Sequence, residues 1–384
     1  MSLSNPSLPK SILALRGYNA QLFFHDLVAG ITVGLVALPL AMAFGIASGV
    51  TPQAGLYTAV VAGFLISALG GSRTQIGGPT GAFVVIVAGI VARFGMTGLS
   101  MVTLMAGILL VIMGITGLGD AVRFIPRMVV VGFTNGIAIL IASTQIKDFL
   151  GLRTGAVPSE FLPRIKMLAA HLSSVNWATV AVGIATMAIL LGLPRITRRV
   201  PASIVAVLVC TIAVALLHLP VETIGTKFGG IPRGLPPFAI PSFHSEHILP
   251  LIPSAFTVAL LAALESMLSA VVADGMTGDR HNSNVELIAQ GIANTISPLF
   301  GGIPATGAIA RTATNIRAGA RSPVSGMIHA LTLLLILLIA APLASYIPLA
   351  TLAGVLFIVA YNWASGTRLA LFCNSTSQPS QYGW

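Results

Sequence analysis

Two short segments combine glycine, proline and threonine inside otherwise apolar sequence. The first is TQIGGPTGAFVV, residues 74–85, and the second is GGIPATGAIAR, residues 301–311. Proline fits the first turn of a helix better than its interior. The first N–H groups of a helix have no partner within it, and that end carries about half a positive charge. Each segment therefore predicts an extended stretch and a half-helix that starts around Pro79 or Pro304 and can bind an anion.

Side chains in the two segments could complete such a site. Thr80 and Thr306 offer hydroxyl donors, and Gly81 and Gly307 would let an anion approach the backbone. The alternative is that both segments are helix kinks or close-packing points, because glycine and proline are frequent in transmembrane helices. Recurrence at matched places in the two halves of the chain favours a site.

Two charged residues, Glu265 and Arg311, fall well inside apolar segments. A charge at the bilayer centre costs about 2.5–3.5 kcal/mol on insertion scales, so each is expected to face a cavity or a partner. Ser269 lies one turn after Glu265 on the same helix face. Glu265 is predicted to take up a proton as the anion enters, with a neutral structural carboxyl as the alternative. Arg311 is predicted to pair with Glu265, to neutralise the anion, or to extend toward the cytoplasm.

Two further side chains stand out in the predicted spans. Phe44 follows Pro39 in the first span, where it could form the wall of a central pocket or fill the core. His329 stands alone among apolar residues and is predicted to be a hydrogen-bonded packing residue.

The elements that carry these residues are predicted to cross a membrane. Of 384 residues, 55% are apolar and 8% are charged, whereas soluble domains carry about 25% charged residues. A spanning helix needs about 20 residues. The apolar runs give about twelve spans, at roughly 27–48, 53–69, 74–93, 98–117, 124–146, 176–193, 201–218, 250–273, 285–300, 304–320, 322–344 and 347–361.

Charge and cysteine content narrow the class of protein further. The net charge of +10 is spread over short loops, which predicts a cytoplasmic N-terminus rather than a nucleic-acid surface. Residues 1–25 lack the pattern of a cleaved signal peptide and are predicted to form a cytoplasmic tail. Cys210 and Cys373 are too few for a disulfide framework or a metal site. We expect a multi-pass protein of the plasma (inner) membrane in a lipid bilayer, without cofactor or metal.

The two halves of the chain share a layout. An odd number of spans separates their starts, which predicts inverted repeats, at 26–218 and 250–362, as in secondary transporters. Inversion would direct the two half-helix N-termini toward each other near the middle of the membrane. The two segments would then contribute to one anion site.

Longer stretches resemble the sulfate permease (SulP) family, bacterial anion transporters related to the animal solute-carrier anion exchangers. The matching stretches are residues 26–57, 77–82 and 279–326 with the segment around Glu265, and the similarity extends from about residue 26 to 362. The resemblance implies an all-α, 7+7 inverted-repeat transporter fold. It also implies a core domain of spans 1–4 and 8–11, a gate domain of spans 5–7 and 12–14, and an elevator-type movement of the core.

The resemblance also implies which residues contact the substrate. Positions at the starts of half-helices 3 and 10 would bind the anion, and in this chain these are Thr80, Gly81, Ala82, Gly307, Ala308 and Ile309. Glu265 and Ser269 match the coupling-ion positions, and Arg311 matches an arginine near the anion site of animal relatives. Sodium-coupled bicarbonate members carry Asp and Thr in span 8, so the resemblance favours a proton over sodium.

The function predicted in this way is proton-coupled symport of an inorganic anion, with sulfate favoured. Bicarbonate and a C4-dicarboxylate are alternative substrates, and an anion channel or exchanger remains open. A nucleobase–proton symporter would carry a second acidic residue near half-helix 10, which PATGAIAR lacks. An enzyme is disfavoured because no acid is paired with a nucleophile. A homodimer is a further expectation.

The sequence departs from the family pattern near its end. Family members continue through spans 13 and 14 and usually a STAS domain, whereas residues 363–384 are predicted to form a polar tail. That tail lacks the roughly 20 apolar residues of a further span. We therefore expect a C-terminally truncated gate domain without a STAS domain, and a non-transporting membrane protein is a further alternative.

Overall fold

A computed structural model describes most of the chain. The described residues are 8–14, 17–119, 127–155, 157–197, 200–232, 234–241 and 248–375. Parts of the predicted N-terminal tail and residues 376–384 of the predicted polar tail lie outside them.

The described residues form long helices and one short strand pair. The helices are α1 (Lys10–Ala14), α2 (Ala20–Ala47), α3 (Pro52–Leu69), α4 (Val84–Ile115), α5 (Arg127–Leu150), α6 (Phe161–Ala170), α7 (Trp177–Ile196), α8 (Ala202–Leu216), α9 (Ile224–Phe228), α10 (Ile248–Thr277), α11 (Ser283–Ile296), α12 (Ile309–Arg317), α13 (Val324–Ala344) and α14 (Leu349–Ser375). The strands are β1 (Gly77–Gly78) and β2 (Thr306–Gly307).

Among the described residues, 6 helices are long and apolar enough to cross a membrane. The helix that contains α4 is the longest of them and bends sharply at Gly95, which has φ 65° and ψ −170°. Glycine adopts this left-handed conformation without the steric cost of a Cβ atom. The bend separates the predicted spans 74–93 and 98–117, so α4 comprises a half-helix and a full span.

The helices pack into the two groups that the family resemblance implies. The core group contains α2, α3, α4, α10, α11, α12 and α13, and the gate group contains α5, α7, α8 and α14. Small residues bring α4 and α11 close together, because a Cβ placed on Gly291 would lie 2.6 Å from the Gly107 carbonyl oxygen. Close backbone approach at glycines is typical of helix packing in membranes.

The two repeats meet at the strand pair in the middle of the core. β1 and β2 are antiparallel, with Gly77 opposite Gly307 and Gly78 opposite Thr306. One residue further in this register, Pro79 faces Ala305. These two positions are equivalent when PTGA of the first repeat is aligned with ATGA of the second. The approximate two-fold axis of the repeats therefore passes through the crossing of the two strands.

The half-helices begin later than the sequence predicted. The first starts with a 3₁₀ turn at Gly81–Phe83 and the second at Ile309, rather than around Pro79 and Pro304. The prolines instead lie outside the helices, Pro79 directly after β1 and Pro304 two residues before β2, and these strands pair with each other. Local sequence favours proline in a first helical turn, but pairing across the repeats provides partners for backbone that would be costly to leave unpaired.

The last helix is longer than predicted. α14 continues to Ser375, beyond the predicted end of the last span at about residue 361. The helix therefore extends into the segment that is predicted to form a polar tail. No proline interrupts this stretch, and helix can propagate through it at little cost per residue.

Two buried carboxylates connect the repeats at one end of the core. Asp26 accepts hydrogen bonds from the N–H groups of Arg321 at 2.7 Å and Ser322 at 3.0 Å. Glu286 accepts from the N–H groups of Gly71 at 2.9 Å and Ser72 at 3.2 Å. Both carboxylates are fully buried. We call this side of the molecule the Asp26 end.

Tyr18 supports Asp26 from outside the helices. Its hydroxyl donates to Asp26 Oδ2 at 2.9 Å. Burial, reinforced by this hydrogen bond, raises the pKa of Tyr18 to about 12. The phenol therefore stays protonated near neutral pH and keeps donating to the carboxylate.

Candidate functional site

One face of α10 contacts both segments of the strand crossing. Ala262, Glu265, Ser266 and Ser269 recur at helical spacing and are buried on this face. α10 therefore contacts the segments at which both half-helices begin.

Thr80 lies at the start of the first half-helix, as predicted. Its backbone is extended, with φ −132° and ψ 162°, and its side chain does not cap the following turn. The hydroxyl instead donates to Glu265 Oε2 at 2.7 Å. The threonine that was expected to bind the anion thus connects the half-helix to the acidic residue of α10.

Thr306 has a different environment, although it is the equivalent residue of the second repeat. Its hydroxyl donates to the Ala262 carbonyl at 3.0 Å and lies 2.6 Å from Ser266 Oγ. The N–H of Gly307 donates to the same Ser266 Oγ at 3.1 Å. Thr306 is fully buried, so its hydroxyl serves to attach β2 to α10.

The two site glycines face different surroundings. A Cβ placed on Gly81 would overlap Ile141 Cδ1 of α5 and would lie 3.2 Å from Phe44 Cε1 of α2. Gly81 is therefore covered where the core meets the gate, and Phe44 forms part of that cover. A Cβ placed on Gly307 would overlap the Gln75 side chain, which belongs to the core interior.

The remaining predicted contact residues lie at the two helix starts. Ala82 and Ala308 are buried. The Ala308 N–H donates to the Ile76 carbonyl at 2.8 Å, and its own carbonyl accepts from the Thr312 N–H at 2.8 Å. Ile309 is half-buried and the next residue is exposed. The first turn of α12 therefore opens onto accessible space.

Arg311 is buried beneath the strand crossing. Only 2% of the residue is exposed, so its side chain does not extend to the molecular surface. Its Nη2 donates to the Pro79 carbonyl, while Nη1 has no hydrogen-bond partner among the described residues. Within the described part of the chain no ion pair joins it to Glu265 within 4.0 Å. The guanidinium thus places a positive charge at the crossing without neutralising the carboxylate directly.

Ser269 supports the crossing from further along α10. Its Oγ lies 3.0 Å from Thr312 Oγ1, and Thr312 Oγ1 accepts from the Ile76 N–H at 3.0 Å. The structure therefore brings Ser269 to the second half-helix, and its hydroxyl has a partner other than Glu265.

Sequence reasoning missed three polar residues that hold the crossing together. These are Gln75, Ser266 and Thr312, all of which are buried. Gln75 Nε2 donates to the Ser266 carbonyl at 3.3 Å. A signal was present, because polar side chains inside apolar spans need internal partners. Ser266 follows Glu265 directly, and Thr312 follows Arg311.

His329 differs from its prediction as a hydrogen-bonded packing residue. It is fully buried in α13, but neither ring nitrogen makes a hydrogen bond of normal geometry with a described residue. Its position follows from the packing of α13 against α2 and α3, and not from a hydrogen bond of its own ring.

Comparison with protein families finds a match that includes both half-helices and α10. A model of the sulfate permease family matches residues 23–371. A putative sulfate transporter, YvdB, of Bacillus subtilis is 49% identical over 357 residues, which are 92% of this chain and 67% of the relative. The bicarbonate transporter BicA of Picosynechococcus is 36% identical over 87% of this chain. The chain spans 60% of that relative's length.

Solved structures agree with the fold. The transmembrane domain of a cyanobacterial bicarbonate transporter BicA superposes with a TM-score of 0.81 at 32% identity, covering 94% of this chain and 93% of that domain. The overall structure of SLC26A9 gives a TM-score of 0.83 at 18% identity and covers 97% of this chain. At that identity the second likeness shows the fold alone. The predicted all-α, 7+7 inverted-repeat fold is confirmed.

Proposed function

Because this chain belongs to the sulfate permease family, we propose that it is a transporter, rather than an enzyme, that moves an inorganic anion across the membrane. One observation carries the proposal. The antiparallel pair β1–β2 brings the starts of two half-helices together beside Glu265 and Arg311. Two helix N-termini and a buried cation at one point favour a negative charge.

The N–H groups that would bind the anion are at the first turns of the half-helices. In α12 the Thr312 N–H makes the first helical bond, to Ala308, so the N–H groups of Ile309 and Ala310 precede it. Such groups have no partner inside their own helix. In the first repeat the Phe83 N–H makes the first such bond, to Thr80, so the N–H groups of Gly81 and Ala82 precede it. The open first turn of α12 supports access for a ligand.

Sulfate is the first candidate substrate. It is supported by the name of the relative that is 49% identical over 92% of this chain. Bicarbonate is the second candidate, supported by the two likenesses to BicA. A C4-dicarboxylate is the third candidate. Main-chain N–H groups and a guanidinium bind oxygens of all three classes, so competition among anions is the appropriate measurement.

We propose that a proton accompanies the anion and binds Glu265. The support is the contact between this carboxylate and Thr80, which lies at the start of the first half-helix. An anion near the carboxylate would repel it, and protonation would remove that repulsion. Uptake of a proton with the anion also reduces the cost of moving charge through the membrane. Coupling by sodium is the less favoured alternative, and an anion channel or exchanger would show no such coupling.

The core is proposed to move against the gate as an elevator. Gly81 lies under Phe44 of the core and Ile141 of the gate, so a movement of the two groups relative to each other would uncover the anion site. The Asp26 end is proposed to be cytoplasmic. Lys10 and Arg73 both pair there with Asp279, as the positive-inside rule favours. The plasma membrane is the proposed location, since bacterial relatives are membrane transporters.

The test is uptake of labelled sulfate into proteoliposomes, with an inward proton gradient and with competing bicarbonate or succinate. Glu265→Gln keeps an oxygen that accepts from Thr80 and removes the titratable charge. We expect gradient-driven uptake to be lost in this variant and kept in Glu160→Gln, whose carboxylate is exposed.

Two results would contradict these proposals. Uptake no greater than in empty liposomes would exclude anion transport by this chain. Gradient-driven uptake that is unchanged in Glu265→Gln would exclude Glu265 as the proton site while leaving anion transport intact.

A further inference from the structure

Buried polar side chains follow one another behind the strand crossing, on the side away from α10. They come from three core helices, and each is at most 3% exposed. We call this group the polar seam, and its members are Ser67 of α3, Arg311 and Asn315 of α12, and Ser325 and His329 of α13. The residues of α12 and of α13 are each one turn apart, so they line one side of each helix.

Arg311 and His329 lie against neighbouring turns of α3. A Cβ placed on Gly78 would lie 2.7 Å from Arg311 Nη1 and 3.4 Å from Ala59 Cα. A Cβ placed on Gly63 would lie 3.7 Å from His329 Cε1. Because Ala59 and Gly63 are one turn apart, the guanidinium and the imidazole lie along neighbouring turns of α3. They are near enough for the charge of Arg311 to act on the ring.

Several polar atoms of the seam have no hydrogen-bond partner among the described residues. They are Arg311 Nη1, both ring nitrogens of His329, Ser67 Oγ and Asn315 Oδ1. The His329 ring lies near the Gly326 carbonyl, but outside normal hydrogen-bond geometry. Buried polar atoms in folded proteins are nearly always paired with protein or with ordered water. A buried charged donor without a partner is especially costly.

The free atoms are chemically complementary. Guanidinium nitrogens only donate hydrogen bonds, whereas a neutral imidazole has one nitrogen that accepts. A ring N–H directed toward Gly326 leaves the other ring nitrogen as that acceptor. A water molecule can accept from Arg311 and donate to His329 at the same time.

We propose that the polar seam binds ordered water, and that water between Arg311 and His329 holds the guanidinium beneath the anion site. His329 is then a positioning residue for Arg311. The inference rests on the proposed function only in assigning the positive charge of Arg311 to anion binding.

The seam also provides a polar route toward the Asp26 end. Asn315 Nδ2 donates to Ser325 Oγ at 2.9 Å, and Ser325 Oγ donates to the Ser322 carbonyl at 2.9 Å. Ser322 Oγ in turn donates to Asp26 Oδ2 at 2.5 Å. Water that exchanges with the solvent at this end thus meets polar partners along the way to His329.

The test compares His329→Gln with His329→Leu in proteoliposomes. Glutamine keeps a donor and an acceptor, whereas leucine removes both. We expect the KM for sulfate to stay within about twofold of the native value in His329→Gln and to rise about tenfold or more in His329→Leu. The maximal uptake rate should change little in either variant. A purely structural role would lower the amount of folded protein or the maximal rate without this rescue by glutamine.

Two further measurements separate the possible failures. If Arg311→Gln raises the KM for sulfate and His329→Leu does not, the inference is wrong while the proposed function stands. If Arg311→Gln leaves the KM unchanged, the proposed role of Arg311 in anion binding is wrong.

An experimental map that resolves water molecules decides the water site independently of transport and of whether His329→Leu folds. Density within hydrogen-bond distance of both Arg311 Nη1 and a His329 ring nitrogen supports the inference. A direct bond between the two side chains, or a seam without water, overturns it.

Discussion

Thr80 and Thr306 occupy equivalent positions in the two repeats, yet their hydroxyls have different partners. The first donates to a carboxylate that is proposed to titrate, and the second donates to a main-chain carbonyl of α10. The asymmetry arises in α10 itself, which presents the Glu265 carboxylate to the start of the first half-helix and the Ala262 carbonyl to β2. Repetition of a motif therefore does not repeat its chemistry.

Replacing each threonine by valine distinguishes the two tasks. Thr80→Val removes the donor to Glu265, and a bond to a charged group contributes about 1.5–3 kcal/mol, so we expect proton-driven uptake to fall about tenfold or more. Thr306→Val removes the bonds to Ala262 and Ser266 and should lower the free energy of unfolding by about 1–3 kcal/mol. Uptake and thermal unfolding measured on both variants check this. A larger loss of stability in Thr80→Val than in Thr306→Val would contradict the assignment.

At the scale of single elements, the strand β2 depends on having no side chain at Gly307. A Cβ there would overlap Gln75, which donates to the Ser266 carbonyl. Overpacking of this kind costs about 1–3 kcal/mol. We expect Gly307→Ala to lower the midpoint of thermal unfolding and to abolish anion uptake, because the strand pair positions both half-helices.

Gly89→Ala is the matched control for that prediction. Gly89 lies in α4, and a Cβ placed there has nothing within 4 Å. Alanine favours helix over glycine by about 1 kcal/mol, so this variant should be as stable as the native protein or more so. Native-like unfolding and uptake in Gly307→Ala would show that the crossing tolerates a methyl group.

The two half-helices also show what the sequence could predict. Their existence followed from two segments that combine glycine, proline and threonine in matched places, because a helix interior tolerates few glycines and prolines. Their starting residues did not follow, since Pro79 and Pro304 obey a local preference that pairing between distant strands overrides. The partner of a hydroxyl depends on tertiary packing, so the sequence indicated Thr80 as a site residue without revealing its bond to Glu265.

At the scale of the whole molecule, Asp26 and Glu286 connect the repeats in opposite senses. A carboxylate of the first repeat accepts from main-chain N–H groups of the second, and a carboxylate of the second accepts from the first. All four hydrogen bonds lie within the core group, so they join the helices of the two repeats there. Neither residue was identified from the sequence, because both lie near helix ends where charges are common.

Removing either carboxylate should destabilise the core. Asp26→Ala and Glu286→Ala each leave main-chain N–H groups without an acceptor, at a cost of about 1–3 kcal/mol for each group that is buried. We expect lower unfolding midpoints for both variants, with nearly additive effects in the double variant because the two sites share no partner. Glu160→Ala, which removes an exposed carboxylate, is the control. Unfolding midpoints equal to that control would show that the two carboxylates do not join the repeats.

The strand crossing has a consequence for how the chain is made. The Ile76 N–H bonds to the Thr312 hydroxyl, 236 residues further along the chain. At a synthesis rate of about 5–20 residues per second, roughly 10–50 s pass between the synthesis of Ile76 and that of Thr312. During that interval the polar backbone around Ile76 has no complementary strand. The nascent first repeat must then depend on water or on the insertion machinery to shelter this segment, and pauses in translation before residue 301 would prolong its exposure.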